Sequence, residues 1–318
     1  MGNLGSVLRL AAFPAGPSGG NPAGVVLDAR GMSDAQMQRI AAEVGYAETA
    51  FVIRPPEDQQ PARVGMRYFS PAAEVPFCGH ATLATAVALA ERIDTDAFLF
   101  DTPAGEVRID ITRTDGQVTA SFTSVQPWVG PIDADVLQRL LDILGLSHDD
   151  LDAAHPPRQA FAGNVHPVLV LASPETFDSF SFDPDVLRAL MDEQKWLGTV
   201  TVLKALGEEK EKKREEGQEG QEGQEEAGRA AGTGEKDNET AWEFEARNLF
   251  PVGTITEDPA TGSAAAAVGA YLRDTGLLEA PATLTIHQGR HVGRLSLLRV
   301  DIPAEGGITV SGTASLIA

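Results

Sequence analysis

Short apolar runs, broken by glycine, proline and acidic turns, fill the first part of the chain. Val7–Phe13, Gly24–Asp28, Ala50–Ile53, Arg63–Phe69, Phe98–Thr102, Val107–Thr112 and Val118–Phe122 have the length and punctuation of short strands. Between them, "MSDAQMQRIAAEVG" spaces its apolar residues as a helix does, with Ser33 as N-cap and Gly45 as the stop. Thr82–Arg92 predicts a second helix. Farther on, Asp135–Leu144 and Asp185–Glu193 predict surface helices, and Ala264–Asp274 a helix of small residues. Small apolar side chains on every face predict a helix around which a sheet can close tightly.

The pattern is written twice. Arg67, Pro71 and Cys78 lead into "GHATLATAVALA"; Arg247, Pro251 and Asp258 lead into "PATGSAAAAVGAYL". Each pair is separated by 180 positions (247−67, 251−71, 258−78). Upstream, "GGNPAGVVLDA" resembles "AGNVHPVLVLAS", with Asn21 matched to Asn164. The offset there is smaller by about the length of one unusual segment. Residues 207–241 hold 12 acids, six bases and a Gly-Gln-Glu repeat. Such a stretch buries too little apolar surface to offset its ordering entropy, so an inserted, disordered tether is expected. The division expected is a first half of residues 1–126 with a C-terminal strand near 306–318, and a second half of 127–305.

Charge and length narrow the function. A net charge of −21 argues against a nucleic-acid partner. The longest apolar run, around Ala264–Leu272, is far short of the roughly 20 residues of a membrane helix. One cysteine means no internal disulfide, which fits a reducing, cytoplasmic setting. "MGNLGS" matches a myristoylation pattern at Gly2, but a lone acyl chain anchors weakly and no basic patch follows.

Candidate chemistry gathers where the two small-residue helices begin. Helix N-termini present unpaired N–H groups and partial positive charge, so they bind carboxylates. Gly79 and Gly262 allow close backbone approach there. Around them stand Cys78 and His80 in one copy, and Asp258, Thr261 and Ser263 in the other. Either start alone reads as a capped helix; a matched pair with different reactive groups reads as two walls of one cleft.

"GNPAGVV", "GYAETAFV", "RYFSPAAEVPFCGHATLA", "EDPATGSAAAAVGAYL" and "QGRHVGR" together resemble the PhzF-like phenazine biosynthesis family, over the whole chain except the acidic segment. The resemblance implies an α+β fold of the diaminopimelate epimerase type. Two duplicated halves would each curl a mostly antiparallel sheet around a central helix, and the C-terminal strand near Ile308–Ile317 would cross back to the first half. It implies a cofactor-independent isomerase, with no metal, that moves a proton between carbons of a dihydro-hydroxyanthranilate-like acid. Glu48 of "ETAF" would carry the proton, His80 and Asp258 would assist, and Cys78, Gly79, Thr261, Gly262 and Ser263 would hold the substrate. The residues agree. Returning a proton to a different carbon needs a carboxyl of raised pKa, and Ala47, Ala50 and Phe51 give Glu48 apolar surroundings.

Two alternatives stand beside this reading. A racemase or epimerase would use Cys78 and Asp258, but the paired thiols of diaminopimelate epimerases are missing; Cys78 is either a thiol of depressed pKa at a helix start or a packing residue. A non-catalytic binding protein of the same fold would have no need of Glu48, His80 and Asp258 together. Weaker candidates are Arg290 or Arg294, which offer charge for a substrate carboxylate although surface arginines are the commoner case, and His166, a candidate to line the cleft. The partner expected is a small carboxylate substrate, with no nucleic acid, no membrane, and a homodimer left open.

Overall fold

The structure, a computed structural model, describes residues 7–56, 60–206, 242–252 and 255–317. The pattern at Gly2 and the acidic segment 207–241 lie outside the described residues. The first run of elements is β1 (Val7–Ala12), β2 (Asn21–Val26), α1 (Asp34–Val44), β3 (Glu48–Arg54), β4 (Ala62–Phe69), β5 (Glu74–Val75), α2 (Gly79–Ala90), β6 (Ala97–Thr102), β7 (Gly105–Thr114) and β8 (Gln117–Thr123). The second is β9 (Trp128–Gly130), α3 (Ala134–Leu144), β10 (Arg158–Phe161), β11 (Val165–Val170), α4 (Pro174–Ser179), α5 (Pro184–Gln194), β12 (Val200–Ala205), β13 (Trp242–Val252), β14 (Ile255–Asp258), α6 (Gly262–Asp274), β15 (Ala282–Gln288) and β16 (Ser296–Ile302). β17 (Thr309–Gly312) and β18 (Ala314–Leu316) close the chain.

Each strand and helix expected from the pattern is present, with two informative shifts. α2 starts at Gly79 rather than Thr82, and α6 at Gly262 rather than Ala264. The missed turns carry Gly-His and Gly-Ser, which give no apolar periodicity.

Strand pairing shows the duplication. In the first half β2 pairs β3 in parallel, β3 pairs β4 antiparallel, and β4 pairs β6 in parallel. In the second, β11–β12, β12–β13 and β13–β15 repeat that order. Each set wraps one helix. Residues Ala81 to Ala90 of α2 are all buried, as are Ala264 to Leu272 of α6. The halves are stitched together by the C-terminus: β17 pairs β16 on one side and β8 on the other, and β18 pairs β1. Smaller apolar layers outside the sheet seat α1 on Phe51 and Phe69, and α3 and α5 on Leu169 and Val202.

Candidate active site

A matched ion pair sets the register of the two helix starts. The Arg67 guanidinium forks onto Glu74, and that of Arg247 onto Glu257. Glu74 lies opposite Phe69 and Glu257 opposite Leu249, so the second turn is three residues longer. From the glutamates onward the offset is therefore 183 (257−74), not 180. "EVPFCGH" lies on "EDPATGS". This corrects the pairing of Cys78 with Asp258: Cys78 caps α2 as Thr261 caps α6, His80 matches Ser263, and the place of Asp258 is held by Val75.

At the first start, three side chains converge. Glu48 opens β3, and its carboxylate lies 3.7 Å from His80 Nε2. His80 Nδ1 lies 3.3 Å from Cys78 Sγ. Burial raises the Glu48 pKa to about 7, the charge of Asp258 adds to that, and the Cys78 thiol donating to Glu48 works against it. Burial also lowers His80 to about 4, against a hydrogen bond to the Pro22 carbonyl, so the imidazole is neutral near neutral pH. The thiol behaves opposite to the helix-start expectation. Burial, then the neighbouring Glu48 charge, push the Cys78 pKa well above its ordinary value, so the thiol stays protonated. Donor atoms of Glu48, Cys78 and His80 lie within 4.8 Å of one another, a set that could hold a metal ion.

At the second start the carboxylate is tied. Asp258 ends β14 three residues ahead of the cap, and its Oδ1 accepts from Asn21 Nδ2 at 2.7 Å. Its Oδ2 accepts from Thr261 Oγ1 at 2.5 Å. Gln288 Nε2 donates to the Asp258 carbonyl, and Gln288 Oε1 accepts from Thr261 N–H. Burial raises Asp258 to about 6, with the two side-chain bonds opposing. Ser263 Oγ lies 3.1 Å from Nε2 of His166, a fully buried residue of β11.

Both starts open on one cavity of about 120 Å³. That is of the order of the roughly 150 Å³ of an engineered cavity that takes benzene, the scale of a single small ring. Glu48, Cys78, His80, Asp258, Thr261, Ser263 and His166 line it, together with Asn164, Thr199 and the apolar Phe77, Leu197 and Phe250. Gly79 and Gly262, the first residues of the two helices, are not among this lining. The arginines of "QGRHVGR" do not reach it. Arg290 pairs with Glu245 and Asp178, and Arg294 donates to the carbonyls of Gly19 and Gly20. Gln288 is the residue of that motif which reaches the site, and Asn21 of "GNPAG" is another that spacing alone did not single out.

The family model described as "Phenazine biosynthesis-like protein", PhzC-PhzF, matches residues 10–215 and 220–318. The chain belongs to this family. The isomerase YddE of Escherichia coli strain K12, named as uncharacterised, is 28% identical over 321 residues, 98% of this chain and 96% of its own. The trans-2,3-dihydro-3-hydroxyanthranilate isomerase of Pseudomonas chlororaphis is 28% identical over 292 residues, 90% of this chain and 86% of its own. A crystal structure of a PhzF-family phenazine biosynthesis protein from Bacillus anthracis matches the fold with a TM-score of 0.74 at 24% identity, over 98% of this chain and 96% of that one. The two-halved, diaminopimelate epimerase-like α+β architecture is thus that of the PhzC-PhzF family. Among the described residues no helix is long and apolar enough to cross a membrane.

Proposed function

We propose that this chain is an isomerase that moves a proton between two carbons of a small, cyclic carboxylic acid of the dihydro-hydroxyanthranilate type, without a cofactor. The observation that carries this is the Glu48 carboxyl, aimed into a ring-sized cavity with a pKa raised to about 7. A carboxyl so poised is part ionised and part protonated near neutral pH, and can both take and return a proton. As carboxylate it accepts the proton of an acidic C–H bond, whose electron pair passes into the conjugated ring. As carboxylic acid it delivers that proton to a second carbon on the same face, and Glu48 ends as it began. Neutral His80 orients Glu48. Asp258, held by Asn21 and Thr261, keeps a fixed negative charge for a donor group of the substrate, while Ser263 and the helix N–H groups receive the substrate carboxylate. A single cysteine without a disulfide partner supports a reducing, cytoplasmic setting.

The racemase reading would use Cys78 and Asp258, which both line the cavity, but burial holds the Cys78 thiol protonated and so works against it as a base. The test is a screen of ring carboxylic acids for exchange of carbon-bound hydrogen in heavy water, in wild type and Glu48→Gln. Exchange in the wild type that vanishes in the variant supports the reading; equal exchange in both contradicts it.

A further inference from the structure

With Asn21 matched to Asn164, the parallel pairings of β2 with β3 and of β11 with β12 put Thr199 where the first half has Glu48. The second helix start thus gathers three hydroxyls, Thr199, Thr261 and Ser263, at the places of Glu48, Cys78 and His80. The first gathers a carboxylate, a thiol and an imidazole, with donor atoms within 4.8 Å of one another. Oxygen, sulfur and nitrogen together are the ligand chemistry of Zn²⁺ and its close neighbours. Mg²⁺ and Ca²⁺ take oxygen alone.

The spacing fits such an ion. Donor atoms about 2.0–2.3 Å from zinc, at tetrahedral angles, stand roughly 3.3–3.6 Å apart. Here Glu48 Oε2 lies 3.7 Å from His80 Nε2, and Cys78 Sγ lies 3.3 Å from His80 Nδ1 and 3.9 Å from Nε2. Small side-chain movements bring the three onto one metal. The Pro22 carbonyl accepts the single N–H of the neutral imidazole, as the outer partner of a metal-bound histidine does. Whichever ring nitrogen is left bare lies within 3.9 Å of the sulfur. Charge favours a cation as well. The cavity lining holds two acids, Glu48 and Asp258, and neither Lys nor Arg. A divalent cation there relieves their repulsion.

We infer that the start of α2 is a Zn²⁺-binding site, with Glu48, Cys78 and His80 as ligands and the fourth position open to the cavity. On binding, the thiol proton passes to solvent and the sulfur becomes a thiolate ligand. The metal then occupies the carboxylate lone pair of Glu48, so zinc acts as a reversible inhibitor and not as a cofactor. The site itself does not depend on Glu48 as the proton carrier; the inhibition rests on that reading.

Cys78 is the single cysteine, which makes the test direct. Titrated with Co²⁺ as a zinc probe, the full chain should gain a near-ultraviolet thiolate-to-cobalt absorption band that saturates at one equivalent and is lost on adding Zn²⁺. Metal held by residues 207–241, which include no cysteine, gives no such band. Cys78→Ser should abolish it. Glu48→Gln and His80→Gln should each weaken Co²⁺ binding at least about tenfold, since even groups that only orient a metal ligand are worth about 10–100-fold. A wild type without the band, or unchanged Co²⁺ affinity in either folded variant, would overturn the site. Should one of the two variants fail to fold, the other decides. In the heavy-water exchange assay, Zn²⁺ should halt exchange in step with its occupancy, and a chelator should restore it. Exchange that persists at full occupancy would overturn the inhibition. A wild type with no exchange at all would remove the Glu48 reading and the inhibition with it, while the cobalt band alone decides the site.

Discussion

At the start of α2 the chain reads Glu-Val-Pro-Phe-Cys-Gly-His, and at the start of α6 it reads Glu-Asp-Pro-Ala-Thr-Gly-Ser. The same Arg–Glu fork precedes each, and each begins its helix with the glycine. The glycines serve different ends. A Cβ on Gly262 would meet the Phe122 ring at 2.8 Å, so the protein itself needs glycine there. A Cβ on Gly79 would meet only Phe77, at an ordinary 3.8 Å, which leaves the α2 start with room beside its backbone. The carboxyls differ more. Asp258 is tied by an amide and a hydroxyl, one to each oxygen. Among the described residues, Glu48 has the Cys78 thiol and the His80 ring beside it and no comparable pair of donors. The two starts thus meet two kinds of acid, both with proton affinity raised by burial: Asp258, anchored by two donors, and Glu48 of β3, which lacks such a pair and is raised further.

The largest effect expected from breaking this contrast is at Glu48. Gln keeps the shape and cannot take a proton, so turnover should fall by roughly 10²–10⁴-fold, with binding of a ring carboxylate within about tenfold. Stability should move the other way. The Glu48 pKa is raised on folding from 4.5 to about 7, so its favourable contribution is complete below the unfolded value and is lost as pH rises through the folded one. Glu48→Gln should therefore melt increasingly above wild type between about pH 4.5 and about pH 8, by up to about 3 kcal/mol. Thermal melts across that range check the sign.

Asp258→Asn should cost less turnover, about tenfold, because it removes a charge and not the proposed proton carrier. Its amide would face the Asn21 amide or the Thr261 hydroxyl, at a stability cost of about 1–3 kcal/mol. Removing the Asp258 charge should also lower the Glu48 pKa, moving the acid limb of the pH–rate profile to lower pH. A limb that stays in place would mean the two acids are not coupled.

Cys78→Thr makes the first start resemble the second. A thiol held protonated by burial supplies at most a hydrogen bond to Glu48, so turnover should fall by less than about tenfold. Complete inactivation in a folded variant would restore the thiol as a reacting group. The smallest effect is expected from deleting residues 207–240. β12 and β13 on either side are antiparallel neighbours, with Ala205 opposite Phe244, so a short turn can join them. The melting temperature should hardly change, and loss of cooperative unfolding would show that the segment belongs to the core.

The sequence pattern was a good guide where burial follows periodicity. The strands, the enclosed helices and the duplication are all legible in apolar spacing. The apolar setting of Glu48 is legible only in part, since Ala47 lines the cavity but Phe51 packs on α1, and Phe77, Leu197 and Phe250 come from elsewhere in the chain. The pattern misled where the signal is one polar residue in a strand or turn. The three-residue longer turn before Asp258 is invisible to an offset taken from Arg67 and Arg247, so Cys78 was matched to the wrong partner. Asn21, Gln288 and Thr199 are single polar residues whose roles depend on strands brought together from distant parts of the chain. Arg290 and Arg294 show the reverse: their charge suggests a ligand, and acids or carbonyls of this chain already satisfy it.

The central claim is that the α2 start keeps one carboxyl poised for proton transfer at neutral pH while the α6 start keeps its own anchored. The most direct measurement is a ¹³C titration of glutamate-labelled protein, with the Glu48 carboxyl assigned by its absence in Glu48→Gln. The account predicts an inflection near the value of about 7 set by burial and the Asp258 charge, shifted downward in Asp258→Asn. An inflection at the ordinary value of 4.5, unmoved by that substitution, would contradict it.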